Sequence, residues 1–169
     1  MKLRIGIITV SDRSARGERP DESGPALEKA ITAQGWRVER RIIVPDDLIS
    51  LQNLIASWAD SGDLDVIFTT GGTGFSPRDI TPEATLAVIE RPAPGLAEAM
   101  RAASLQVTPH AMLSRALAGI RKRTLIVNLP GSPKGAEENL QVVVPVIPHA
   151  VQLLKEDPRA EVGHQHNQS

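Results

Sequence analysis

Three short runs of aliphatic and β-branched residues, LRIGIITV at 3–10, VIFTT at 66–70 and TLIVNL at 124–129, limit the possible folds most. They are close to continuously apolar, so both faces of each predicted strand must be covered. Between them the apolar spacing becomes helical, as at Ala26, Leu27, Ala30 and Ile31, and again at Leu48, Leu51, Ile55 and Trp58. Trp36, Val38, Arg40, Ile42 and Val44 alternate, which predicts a strand with one partly solvated face. Helices are also predicted over Thr81–Glu90 and over Gly95–Leu105, the latter with Leu96, Met100 and Ala103 inward. Ala136–Leu154 reads as a helical segment bent or broken near Pro145 and Pro148. Strand alternating with helix predicts an α/β fold: a single three-layer domain, a mostly parallel sheet with helices on both faces. The 169 residues suffice for one such domain.

In sheets of this kind ligands bind beyond the carboxyl ends of the strands. Four loops follow predicted strand ends: Ser11–Asp12, Pro45–Asp47, Gly71–Asp79 and Pro130–Lys134. They are therefore expected on one face. The richest is the third. A strand runs into Gly71, Gly72, Thr73 and Gly74, then a charged loop with Ser76, Arg78 and Asp79, and then Thr81 and Pro82 as the expected cap and first position of a helix. Glycines let backbone N–H groups approach a ligand closely, and a helix start favours negative charge. This suits a phosphate or polar ligand, although a tight strand-to-helix turn would look the same. The pattern G-G-x-G is neither the dinucleotide fingerprint nor a Walker A loop, whose last glycine precedes Lys where Phe75 stands here.

Composition removes other classes. The 19 basic and 20 acidic residues leave a net charge of −1, which argues against a nucleic-acid footprint. With no Tyr, two Trp and two Phe, base-stacking platforms are scarce. The absence of cysteine excludes disulfide and thiolate chemistry and suits a cytoplasmic protein. No apolar run approaches the length of a membrane span, and LRIGIITV is too short for a signal peptide.

TTGGTGFSPRDITPEAT resembles the signature of the molybdopterin adenylyltransferase family, the bacterial Mog-type proteins and the G domain of gephyrin. Five further segments agree in order: TVSDR at 9–13, VPDD at 44–47, RPAPGLAEAMR at 91–101, MLSRALAGIR at 112–121 and NLPGSPKGAEEN at 128–139. The resemblance implies a molybdopterin-binding domain over residues 1–155, leaving 156–169 as a polar C-terminal tail. It implies transfer of AMP from ATP to the phosphate of molybdopterin, with Mg²⁺ as cofactor. It also implies a homotrimer and hand-over to a molybdate-inserting enzyme. Two alternatives stay open: a pterin-binding paralogue with little catalysis, and a related nucleotide pyrophosphatase.

Asp46 and Asp79 follow different strands and suit a magnesium–nucleotide site, since Mg²⁺ takes one or two carboxylates plus phosphates and water. From the residues alone, Asp46 could instead cap the next helix, and Asp79 could cap its loop or pair with Arg78. The resemblance makes both the catalytic and metal-binding pair, and its pattern selects Asp46 over the adjacent Asp47. Pro130, Gly131, Ser132 and Lys134 form a second cradle or a rigid turn, and the resemblance implies molybdopterin contacts there. Ser114 and Arg115 offer a hydroxyl and a forked cation to a phosphate, or else a helix cap and a solvated charge. Ser11 and Asp12 contact ligand or merely stabilise a turn. No histidine falls in these motifs. His110 and His149 read as structural or exposed, and His164 with His166 as a short His-x-His in a solvated tail.

Overall fold

The computed structural model describes residues 1–160, so the His-x-His at 164–166 lies outside the described residues. The three apolar runs become β1 (Arg4–Val10), β3 (Val66–Thr70) and β6 (Thr124–Leu129), and β3 and β6 are buried at every position. The alternating segment forms β2 (Arg37–Val44) at one edge of the sheet, where Ile42 and Ile43 stay exposed. With β4 (Arg91–Pro92) and β5 (Ala118–Arg121) at the far edge, the six-stranded order is β2-β1-β3-β6-β5-β4, and the pairs among β2, β1, β3 and β6 are parallel.

Helices cover both faces. On one, Ile5, Ile7, Phe68 and Val127 pack with α2 (Ser23–Ala33), α5 (Pro94–Leu105), α6 (Pro133–Val143) and α7 (Ile147–Leu154) through Leu27, Met100, Leu140 and Val151. On the other, Ile8, Ile67 and Ile126 pack with α3 (Leu48–Asp60) and α4 (Thr81–Val88) through Leu51, Ile55 and Ala84. Successive side chains of one strand point to opposite faces, so runs apolar at every position must be sandwiched. A four-residue helix, α1 (Asp12–Ala15), follows β1 directly.

Several local expectations change. On α5, Ala97 and Met100 are buried and Leu96 packs against the core as expected, while Ala103 is exposed. The preceding helix, α4, ends at Val88 rather than Glu90, whose N–H bonds the Ile120 carbonyl instead. The long C-terminal segment breaks into two helices at Pro145, whereas Pro148 sits in the first turn of α7, where its missing N–H costs nothing. Two strands and a 3₁₀ helix (Pro109–Leu113) were not expected: β4 (Arg91–Pro92) and β5 (Ala118–Arg121), both antiparallel. In the stretch expected as a tail, Ala160 is buried and its N–H bonds Asp157. Among the described residues, no helix is long and apolar enough to cross a membrane.

β2 and β3 lie on opposite sides of β1, so the chain reverses direction across the sheet there. A crevice at such a switch point opens beyond the strand ends. The loops after β1, β2, β3 and β6 all meet there: the Ser11 N–H bonds the Val44 carbonyl, the Gly71 N–H that of Leu129, and the Thr70 hydroxyl that of Pro130.

Candidate active site

The loop after β3 turns on two glycines in the left-handed region, Gly71 at φ +100° and Gly72 at φ +66°. Both carbonyls are then tied to Thr81, whose hydroxyl donates to Gly71 O at 2.8 Å and whose N–H donates to Gly72 O at 3.0 Å. Thr81 is thus the first helical residue rather than the cap, a place held by Ile80, and its hydroxyl is buried against the loop. Left-handed backbone is costly for residues with a Cβ, which explains glycine at these two positions.

Two carboxylates flank this loop. A Cβ placed on Gly72 would lie 3.2 Å from Asp46 Oδ1, and one on Gly74 would lie 2.9 Å from Asp79 Oδ2. The helix cap after β2 is Asp47, which accepts the Ser50 N–H at 2.8 Å, so Asp46 is not the cap. Asp46 instead exchanges hydrogen bonds with Asp12. The Asp12 N–H donates to Asp46 Oδ2 at 2.9 Å, and the Asp46 N–H donates to Asp12 Oδ1 at 3.0 Å. Asp79 accepts the Ser76 N–H at 3.0 Å, a turn within its own loop.

The charges of these groups differ in surroundings. Arg78 forks onto Asp12 at 2.9 and 3.0 Å, not onto Asp79. Burial raises the Asp12 pKa, but the Asp46 N–H and the Arg78 guanidinium outweigh it and hold Asp12 below its ordinary value. Asp46 is pushed above its ordinary 3.8 by burial, and the nearby Asp12 and Asp79 carboxylates add to this. A half-buried carboxylate facing further acids is a place where a cation is favoured. Among the described residues no three acidic, His or Cys groups gather to hold a metal. Asp46 and Asp79 offer two carboxylates, a donor set that a hard divalent cation can use only with phosphate and water completing its shell.

A raised folded-state pKa in a carboxylate means that stability falls as pH rises through it. Asp46 therefore costs stability at neutral pH. Asp46→Asn keeps the oxygen that accepts the Asp12 N–H, and it is expected to raise the thermal midpoint of the ligand-free protein at pH 7. The gain should fade as pH falls toward 3.8. Thermal unfolding at pH 4 and pH 7 checks this; an equal or lower midpoint at pH 7 contradicts it.

Other candidates fall into two cavities. The larger, about 700 Å³, is lined by Ser11, Asp12, Asp46, Gly71, Gly72, Ser76, Asp79, Gly131 and Ser132. The smaller, about 300 Å³, is lined by Thr73, Gly74, Ser114, Pro130 and Ser132, with Arg101, Ser104 and Asn139. Both lie within the range of small-molecule sites. Ser132 borders both and caps α6 by accepting the Gly135 N–H at 3.1 Å. Ser11 caps α1. Ser114 follows the 3₁₀ helix rather than capping a helix start.

Three cations expected at ligand line neither cavity. Arg78 is engaged with Asp12. Arg115 is partly exposed and lines neither cavity, but it is not a free cation: its guanidinium pairs with Glu83 and donates to the Gly74 and Asp79 carbonyls at 2.8 and 2.9 Å. Its N–H also bonds the Thr73 carbonyl, so Arg115 braces the glycine loop and Asp79 from behind. Lys134 is exposed beside Glu138 and lines neither cavity.

Sequence reasoning passed over Asp21, in the larger cavity, whose carboxylate accepts the Thr9 hydroxyl and the Gly24 N–H. The signal was DESGP before a helix, a capping pattern. It also passed over Arg13 and Asn139, the last residues of TVSDR and NLPGSPKGAEEN, and over Arg19 and Ser104, whose positions carried no distinguishing pattern.

The family model described as "Probable molybdopterin binding domain" matches residues 6–149. Gephyrin of Dictyostelium discoideum is 43% identical over 96% of this chain, which spans only 24% of that longer protein. Molybdopterin adenylyltransferase of Escherichia coli K12 is 40% identical over 95% of this chain and 89% of its own length. The crystal structure of the molybdopterin biosynthesis enzyme MoaB from Thermus thermophilus superposes with a TM-score of 0.86 at 49% identity, covering 92% of this chain and 98% of that one. A glycine loop flanked by Asp46 and Asp79, on a fold shared with these relatives across almost the whole chain, places it plainly: this chain belongs to the molybdopterin adenylyltransferase family.

Proposed function

We propose that this protein is a molybdopterin adenylyltransferase, moving AMP from ATP to the terminal phosphate of molybdopterin and releasing pyrophosphate, in molybdenum cofactor biosynthesis. The observation that carries the reading is the meeting of two unequal cavities at Ser132, with Asp46 and Asp79 on the larger one alone. ATP takes the larger cavity, its phosphates against the glycine loop. Molybdopterin takes the smaller one, near Thr73, Ser104 and Ser114.

The pterin phosphate is already nucleophilic at neutral pH, so the chain need supply no general base. Its work is positioning and charge compensation, the usual equipment of phosphoryl transfer. A magnesium ion held by Asp46 and Asp79 would neutralise phosphate charge. Arg115 holds the Asp79 backbone in place, and Arg78 holds Asp12, which in turn orients Asp46.

The reading also includes a homotrimer in the cytoplasm and hand-over of product to a molybdate-inserting enzyme. Exposed Phe75, Val107 and Met112 provide apolar surface that assembly would cover, and the cysteine-free composition suits a reducing compartment.

Titration calorimetry with each ligand separately tests the division of the crevice. Asp46→Ala should weaken magnesium–ATP about tenfold or more, the value of one charged contact, and spare molybdopterin. Ser104→Leu, which fills the smaller cavity, should do the reverse. Lys134→Ala should change neither. Equal weakening of both ligands by Asp46→Ala contradicts the reading.

A further inference from the structure

We infer that Arg13 and Arg19 form the receiving site for the leaving pyrophosphate of the nucleotide. This rests on the adenylyl-transfer reading above and names residues that neither the glycine loop nor the aspartates suggest.

The first observation is the charge balance of the larger cavity. Its wall carries Asp12, Asp21, Glu22, Asp46 and Asp79, and its cations are Arg13 and Arg19. A triphosphate entering such a wall needs more positive charge than one divalent ion supplies. Arg78, Arg115 and Lys134 already have carboxylate partners. Among the described residues Arg13 and Arg19 have no ion pair and no side-chain hydrogen bond. Glu18, a carboxylate that senses the Arg13 charge, is itself paired with Arg16. Guanidinium forks match phosphate oxygens bidentately.

The second observation is direction. The transfer forms a bond from the pterin phosphate oxygen to the α-phosphorus and breaks the bond from that phosphorus to the bridging oxygen. The departing pyrophosphate keeps the electron pair. Attacking and leaving oxygens lie roughly in line. The smaller cavity adjoins the larger through Ser132, on the β6 side of the sheet, so the attack comes from there. The leaving group must then depart toward β1, on the other side of β3. That is where the segment from Ser11 to Ser23, carrying both arginines, closes the larger cavity.

Calorimetry at fixed magnesium, with inorganic pyrophosphate and with AMP as separate probes, tests the inference on wild type, Arg13→Ala, Arg19→Ala and the double variant. Each arginine should be worth about tenfold in pyrophosphate affinity, the size of a charge-assisted contact, with AMP affinity nearly unchanged. Arg13→Lys and Arg19→Lys should recover part of the loss. Both side chains are exposed, so the unfolding midpoint should hold. A double variant that binds pyrophosphate as wild type does, or that loses AMP equally, overturns the inference while leaving the transferase reading intact. A wild-type protein that binds neither probe overturns both.

Discussion

Asp79→Asn is expected to lower adenylyl transfer by about a hundred- to a thousandfold, the range seen when one preorganised electrostatic group is removed from a transition state. The asparagine retains an oxygen to accept the Ser76 N–H, so the loop keeps its turn and only the charge is lost. Arg115 grips the Asp79 backbone, not its carboxylate, so that brace also persists. Molybdopterin affinity should change little, because Asp79 borders the larger cavity and not the smaller. Initial rates at saturating ATP and magnesium, with an unfolding curve beside them, check this. Near-normal turnover removes Asp79 from its assigned role.

Gly71→Ala should instead act on the fold. At φ +100° a side chain is strained by about 1–3 kcal/mol. The new Cβ would also be driven into the Val10 carbonyl, a backbone group of a central strand that has nowhere to move. A loss of about 3 kcal/mol lowers the midpoint of a chain this size by roughly 6–12 °C. Gly74→Ala is the matched contrast. Its φ is not in the left-handed region, and its Cβ meets only the carboxylate end of Asp79, which can swing aside. Transfer should fall there while the midpoint holds. Equal midpoints for the two variants would show that the loop does not carry the strain ascribed to Gly71.

The central sheet was legible because a strand covered on both faces must be apolar at every position, as VIFTT and TLIVNL are. The convergence of four loops followed from parallel strands alone. The edge was not legible: β4 is two residues, one a proline, tolerable only because an edge strand leaves one side of its ladder unpaired. Roles within the site were legible only in part, since they depend on distant partners. Asp46 could be read as the cap of the next helix; the cap is its neighbour Asp47, which accepts the Ser50 N–H. Arg78 found Asp12, 66 residues away, rather than its neighbour Asp79. Arg115 reads as a solvated cation until the loop it braces, some forty residues earlier, is folded beside it. No local pattern reports such pairings.

The most direct measurement is the mass of the pterin after incubation of the wild-type protein with molybdopterin, ATP and magnesium. Adenylyl transfer predicts that the pterin gains one AMP unit and that one pyrophosphate appears for each product molecule formed. Consumption of ATP to free AMP with the pterin unchanged would contradict it, as would molybdopterin binding with no nucleotide consumed.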